Sequence, residues 1–178
     1  MLIDSPALDK VMAEYASEEK IAKLQLDVRI SLVEAGRSIG YLRWISQCDE
    51  LNLTFTDLKF SKFIDDKNLQ INELALIQEV KNKSQAFSLK SETLQQRIVE
   101  EKNKGFNHWQ ICCGHDLVEI LALGLRKAIG TMSVDSDNLE RSLRLAYEEV
   151  YFRQTQLWAN IRQWESNNQS YQVLAQNN

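Results

Sequence analysis

The chain predicts an α+β fold, predominantly helical, with a small β-sheet or hairpin and a long C-terminal helix. Three observations predict it. One proline and six glycines in 178 residues leave long stretches without a helix breaker. Apolar residues recur at helical spacing through most of the chain. Between residues 52 and 71 that spacing gives way to a partial alternation of apolar and polar side chains.

Taken in order, Ser5-Pro6 starts a first helix, with serine as cap and proline at the first helical position. It carries Leu8, Val11, Met12 and Tyr15. A second start at Ser17 leads through Ile21, Leu24, Val28, Leu32 and Val33 and ends near Gly36. Ile39, Leu42, Trp44 and Ile45 mark a further short helix over residues 40–46. Leu53 and Phe55 alternate with polar residues, Asp65-Asp66-Lys67-Asn68 is turn chemistry, and Leu69-Gln70-Ile71 resumes an extended pattern. These predict a hairpin or pair of short strands across 52–71.

Asn72 caps a helix bearing Leu74, Ile77 and Val80, and the polar run Lys81 to Gln85 reads as loop. Another helix spans about Ser91 to Lys102 and is ended by Asn103-Lys104-Gly105. The stretch Trp109 to Gly130 organises the rest. Trp109-Gln110-Ile111-Cys112-Cys113 has strand length, Gly114 turns the chain, and from Leu117 the apolar positions run nearly all the way round a helix. Residues 130–136 are loop. Asp137 and Glu140 form a D-x-x-E arrangement that caps the last helix, which Glu140–Arg144 and Glu149–Arg153 support as i,i+4 pairs. From Asp137 to about Asn168 that helix would be roughly 48 Å long, longer than a domain is wide, so a break or a projecting arm is expected. A short strand over Tyr171 to Leu174 closes the chain.

No internal repeat, low-complexity segment or linker divides the sequence, so one domain over 1–178 is expected. A hydrophobic fraction of 44% supports a core without metal or disulfide staples. The net charge of −4 excludes a broad electrostatic footprint for nucleic acid or anionic lipid. Three cysteines, two of them adjacent, define no disulfide framework. No run reaches the ~18 apolar residues of a membrane span, and the N-terminus lacks signal-peptide order. A soluble, cytoplasmic protein is the expectation.

His108, Cys112, Cys113 and His115 invite a zinc reading that geometry opposes. On an extended segment His108 and Cys112 lie about 13 Å apart, and adjacent cysteines face opposite ways. Buried cysteines beside unrelated histidines fit better. Gly114-His115-Asp116 with Glu119 is the stronger constellation. Asp116 and Glu119 could hold a hard cation, with His115 as base or phosphate contact, and the competing role for Asp116 is to cap the helix. Asp135-Ser136-Asp137 resembles paired magnesium aspartates but reads as a helix start. No phosphate loop, dinucleotide fingerprint or nucleophile elbow occurs. Arg141, Arg144, Arg153 and Arg162 share the last helix with Tyr147, Tyr151, Trp158 and Trp164. Glu140, Glu148, Glu149 and Glu165 cancel most of that charge, so a core face with a solvated face is preferred to a single-strand binding surface.

Trp109…Cys113-Gly114-His115-Asp116-Leu117-Val118-Glu119-Ile120-Leu121, then Leu125-Arg126-Lys127, is similar to the C-terminal signature of a prokaryotic family. This is the domain-of-unknown-function family four-four-three-five, related to Toprim nucleases and often encoded beside ATPases in phage-defence operons. Ser5-Pro6-Ala7-Leu8, Gly40-Tyr41-Leu42-Arg43-Trp44, residues 58–65, Leu143-Arg144-Leu145-Ala146-Tyr147, Tyr151-Phe152, Thr155 and residues 161–165 also fit, so the resemblance covers nearly all of the chain. Toprim-type proteins bind magnesium through a glutamate after one strand and paired aspartates after a later one. In such families those motifs lie upstream of the segment corresponding to Ser5, and this chain has neither in a strand context. The resemblance therefore implies the C-terminal half of a longer Toprim-like protein, with magnesium and nucleic acid belonging to the complete protein. His115, Asp116 and Glu119 remain as candidate catalytic residues, Asp116 and Glu119 as candidate metal ligands, and no cofactor is expected to bind tightly to this chain.

The leading expectation is a helical C-terminal module of a Toprim-like defence protein, without nuclease activity by itself. Its partners would be an ATPase or the missing N-terminal catalytic half. The alternatives are a stand-alone interaction protein, homo-oligomeric or bound to a partner helix, and a metal-dependent hydrolase centred on the Gly-His-Asp turn.

Overall fold

The computed structural model describes residues 2–86, 88–168, 170, 171 and 173. Among these residues run ten α-helices in the order α1 (Ala7–Tyr15), α2 (Glu18–Leu24), α3 (Val28–Cys48), α4 (Glu73–Ser84), α5 (Ser91–Asn103), α6 (His108–Ile111), α7 (Gly114–Gly124), α8 (Ser136–Ala146), α9 (Glu149–Arg153) and α10 (Gln156–Asn167). A 3-10 turn covers Phe60–Lys62, and the five residues Leu125–Ile129 carry α7 on as a π-helical segment. No described helix is long and apolar enough to cross a membrane.

Helix α3 is the hub, packing against α4, α5, α6 and α7. Its Leu32, Ile39, Leu42 and Ile45 are fully buried. They meet Leu117, Ile120 and Leu121 of α7, Leu76, Ile77 and Val80 of α4, and Leu94 and Ile98 of α5 in one continuous core. Helices α1 and α8 close the far side through Leu8, Val11, Leu139 and Leu143.

Two glycines let the corner between α6 and α7 sit on α3. A Cβ at Gly36 would lie 2.5 Å from Leu117 Cδ2, and one at Gly40 would lie 2.2 Å from the carbonyl oxygen of Ile111. The helix end expected near Gly36 is therefore replaced by 21 continuous residues of α3, which also absorb the short helix expected over 40–46. The break comes earlier. Gln25 turns left-handed at φ 50° and Asp27 caps α3 by accepting from Ile30 N–H at 3.0 Å.

The small β-sheet or hairpin does not form. Among the described residues the strand pairing amounts to two isolated antiparallel bridges, Ala16 with Gly130 and Ile64 with Ile71. Asp65 accepts from Lys67 N–H and Asn68 N–H, which curls the chain locally, while Asn72 N–H bonds Phe63 O at 2.7 Å. A turn so tight leaves too few flanking residues for a ladder. The strand expected at 109–113 is absent as well. Asn107 caps a helical turn by accepting from Trp109 N–H, and Cys112 N–H closes it on His108 O at 2.9 Å. With no neighbouring strand, those backbone groups are satisfied locally.

Asn72 caps α4 as its spacing predicts, accepting from Ala75 N–H at 3.0 Å. The helix runs on through the residues expected to be loop, to Ser84. The long C-terminal helix is three helices. Backbone turns at Tyr147-Glu148 and Gln154-Thr155 separate α8, α9 and α10, each restarted by an extended residue. Asp135 caps α8, accepting from Asn138 N–H at 2.7 Å, and Asp137 lies inside the first turn. The expected i,i+4 pairs form, with Arg144 to Glu140 at 2.9 Å and Arg153 to Glu149 at 2.8 Å. Of the strand expected over 171–174, positions 172 and 174 lie outside the described residues, and Tyr171 and Val173 are in neither helix nor strand.

Candidate functional site

The expected site lies where α6 hands over to α7. Cys112 and Cys113 are extended between the two helices, and Gly114, His115 and Asp116 form the first turn of α7. Gly114 is the first helical residue and not a turn. Cys112 is buried, its Sγ 3.6 Å from Val33 O, and burial pushes its thiol up to about 11. That is the packing cysteine the spacing favours. Cys113 is half-buried and Cys48 is exposed on α3, so the three thiols do not gather.

Asp116 is not the cap. The N-cap position is Cys113, which offers no side-chain bond, and Asp116 sits two residues inside the helix start. Its carboxylate points into α3, where Arg43 takes both oxygens. Arg43 Nη2 donates to Oδ1 at 2.9 Å and Nε to Oδ2 at 3.2 Å. The Arg43 guanidinium also lies over the Phe55 ring, 4.6 Å from its centroid. Burial raises the Asp116 carboxyl above the ordinary carboxylate range, with the Arg43 bonds pulling in the opposite direction. The charge remains favourable to the α7 dipole. Arg43 is the partner that the candidate set lacked, because 73 residues of sequence separate the pair.

His115 points the other way. Its side chain is 82% exposed, with Nε2 3.8 Å from Glu140 Oε2 of α8. Glu140 is lowered from its ordinary value, first by its bond to Arg144. Glu119 is half-buried one turn further along α7. Beside His115 opens an apolar cavity of about 230 Å³, floored by Leu2, Ile3, Leu117 and Val118 with Glu140 at its rim. A wider cleft of about 890 Å³ lies elsewhere, between the first half of α3, residues 68–74 and α5.

His115 and Asp116, adjacent in sequence, thus serve different surroundings. The His115 imidazole is open to solvent and stands near the Glu140 carboxylate. Arg43 holds both oxygens of Asp116, so a hard cation shared with Glu119, the ligand pair that the constellation suggests, would have to displace that guanidinium. Among the described residues no three His, Cys, Asp or Glu side chains converge as metal ligands. Asp135 and Asp137 belong to the start of α8.

No protein-family model, curated protein or solved structure matches the chain.

Proposed function

We propose that the chain is a helical interaction module, the C-terminal part of a Toprim-like prokaryotic defence protein, which docks or completes the catalytic part and does not itself cleave nucleic acid. One observation carries this reading. The C-terminal helices hold apolar side chains out to solvent: Leu145 is 81% exposed, Leu157 60%, Val150 48% and Trp164 45%. These side chains support a docking reading for the C-terminal helices, because covering them with a partner would remove apolar surface from water. The engagement of Asp116 by Arg43 supports the non-catalytic half of the proposal, because that carboxylate already holds α3 and α7 together.

The hydrolase reading draws on the cavity beside His115 and Glu140. Phage restriction separates the two, using the gene in its native operon. We expect Asp116→Asn to restrict as wild type and the double variant Leu157→Glu/Trp164→Glu to lose restriction. The reverse order would favour hydrolysis at the Gly-His-Asp turn, and a wild-type operon that restricts no phage would remove the defence assignment.

A further inference from the structure

We propose that the apolar pocket at the start of α7 is a binding site for a small neutral phenol, its ring held among Leu2, Ile3, Leu117 and Val118 and its hydroxyl donating to Glu140 Oε2. This site is independent of the interaction-module reading, and its failure would leave that reading standing. Protein interiors leave few voids larger than a water molecule, and this one holds about 230 Å³. An apolar cavity of about 150 Å³ takes up benzene, so the space admits one aromatic ring with a short alkyl group.

The walls are fixed without a ligand. Ile3, Leu117 and Val118 belong to the core. Arg29 Nη1 donates to Ile3 O at 2.6 Å and Ser5 Oγ donates to Leu2 O at 2.7 Å, which pins the backbone of residues 2 and 3. Gly114 lines the same pocket, and a Cβ there would meet nothing within 4 Å. Its backbone is not left-handed and no neighbour crowds it, so neither reason for a glycine applies. What the missing side chain does is keep the pocket open.

Glu140 supplies the polar end. Its Oε1 accepts from both Nε and Nη2 of Arg144. Its Oε2 lies 3.8 Å from His115 Nε2, too far for a hydrogen bond, and has no donor among the described residues. The Arg144 bonds hold this carboxyl below its ordinary range, so the free oxygen is a charged acceptor. A carboxylate head would be repelled by it. An ammonium head would meet the Arg144 guanidinium, which already balances the charge. A neutral hydroxyl donates its hydrogen and adds no charge.

Titration of the full chain with para-ethylphenol, followed by calorimetry and methyl NMR spectra, tests the site. The expected result is one-site binding with shifts concentrated on Leu2, Ile3, Leu117 and Val118. Ethylbenzene, the same body without the hydroxyl, should bind wild type at least about tenfold more weakly, and para-ethylphenol should bind Glu140→Ala more weakly by the same factor, the worth of one hydrogen bond to a charged group. Gly114→Leu should fill the pocket and abolish binding while melting no lower than wild type. No binding up to the solubility limit, or shifts centred on other residues, would overturn the site. Ethylbenzene binding as tightly as para-ethylphenol would overturn the hydroxyl assignment. A folded Gly114→Leu that still binds would overturn the placement; should that variant fail to fold, the methyl shifts and Glu140→Ala decide.

Discussion

Replacing Arg43 by methionine should destabilise the chain more than replacing its partner Asp116 by alanine. The side chain of Asp116 is 6% exposed and that of Arg43 is 35% exposed. An orphaned Arg43 can turn into water, and an orphaned Asp116 cannot. Losing one member of a fully buried pair costs ~3–5 kcal/mol, whereas an exposed pair is worth ~0.2–1 kcal/mol. Arg43→Met belongs near the buried limit, at about 3 kcal/mol, since it strands the carboxylate and also removes the cation from Phe55. Asp116→Ala belongs lower, at about 1–2 kcal/mol. The pH dependence gives a second signature. A carboxyl raised in the folded state binds more protons there than when unfolded. Its contribution is full below the unfolded pKa and is lost as pH rises through the folded one. Arg43→Met removes the main force lowering Asp116, so the folded value rises further and the loss at neutral pH grows. The penalty of Arg43→Met against wild type should therefore shrink as pH falls from ~7 toward ~4. Urea titrations across that range, with unchanged m-values, measure it. Asp116→Ala costing more than Arg43→Met, or an Arg43→Met penalty that ignores pH, would mean that Asp116 is not the buried, stranded member of the pair.

The glycines make a contrasting pair. Gly40→Ala drives a Cβ to 2.2 Å from backbone that cannot rotate away, and a thermal melt should report a loss of about 1–3 kcal/mol or more. Gly114→Ala meets nothing within 4 Å in the first turn of α7, so the same melt should find it neutral or stabilising by up to ~1 kcal/mol. At the start of α8, Asp135→Ala should cost about 1 kcal/mol and Asp137→Ala within ~0.5 kcal/mol of nothing; equal losses in chemical denaturation would move the cap. Purified chain with magnesium or manganese should leave DNA and RNA intact on a gel, and robust cleavage abolished by Asp116→Ala would restore the hydrolase reading.

The helices were legible where their signals are local. Asn72 ahead of Leu76, Ile77 and Val80, or Leu94 and Ile98 before Asn103, state a start, a face and a stop within a dozen residues. What failed depends on partners distant in sequence. Gly36 read as a helix end and Gly40 as the start of a separate short helix, yet both are smooth places on one continuous α3 where Leu117 and Ile111 press in. The apolar run from Trp109 had strand length but no strand to pair with, and the cap at Asn107 was the local sign of a helical turn. Asp116 had the spacing of a cap and proved to be half of an ion pair, because nothing near it in sequence announces Arg43. The core face expected on the last helix is not found on α10, where only Glu165 is buried among the described side chains and Leu157 and Trp164 stand exposed. Periodicity says that a face exists, not what covers it.

Amide hydrogen exchange along α10 tests most directly whether that face works by being covered. The chain would be followed alone and with the catalytic partner encoded in its native operon, with the α3 amides as an internal reference. Residues 157–167 should exchange readily in the chain alone and gain marked protection with the partner present, while Leu32 to Ile45 stay equally protected in both. Protection of α10 that already matches α3 in the chain alone, and does not change with the partner, would contradict a docking face, because the helix would then be stable uncovered.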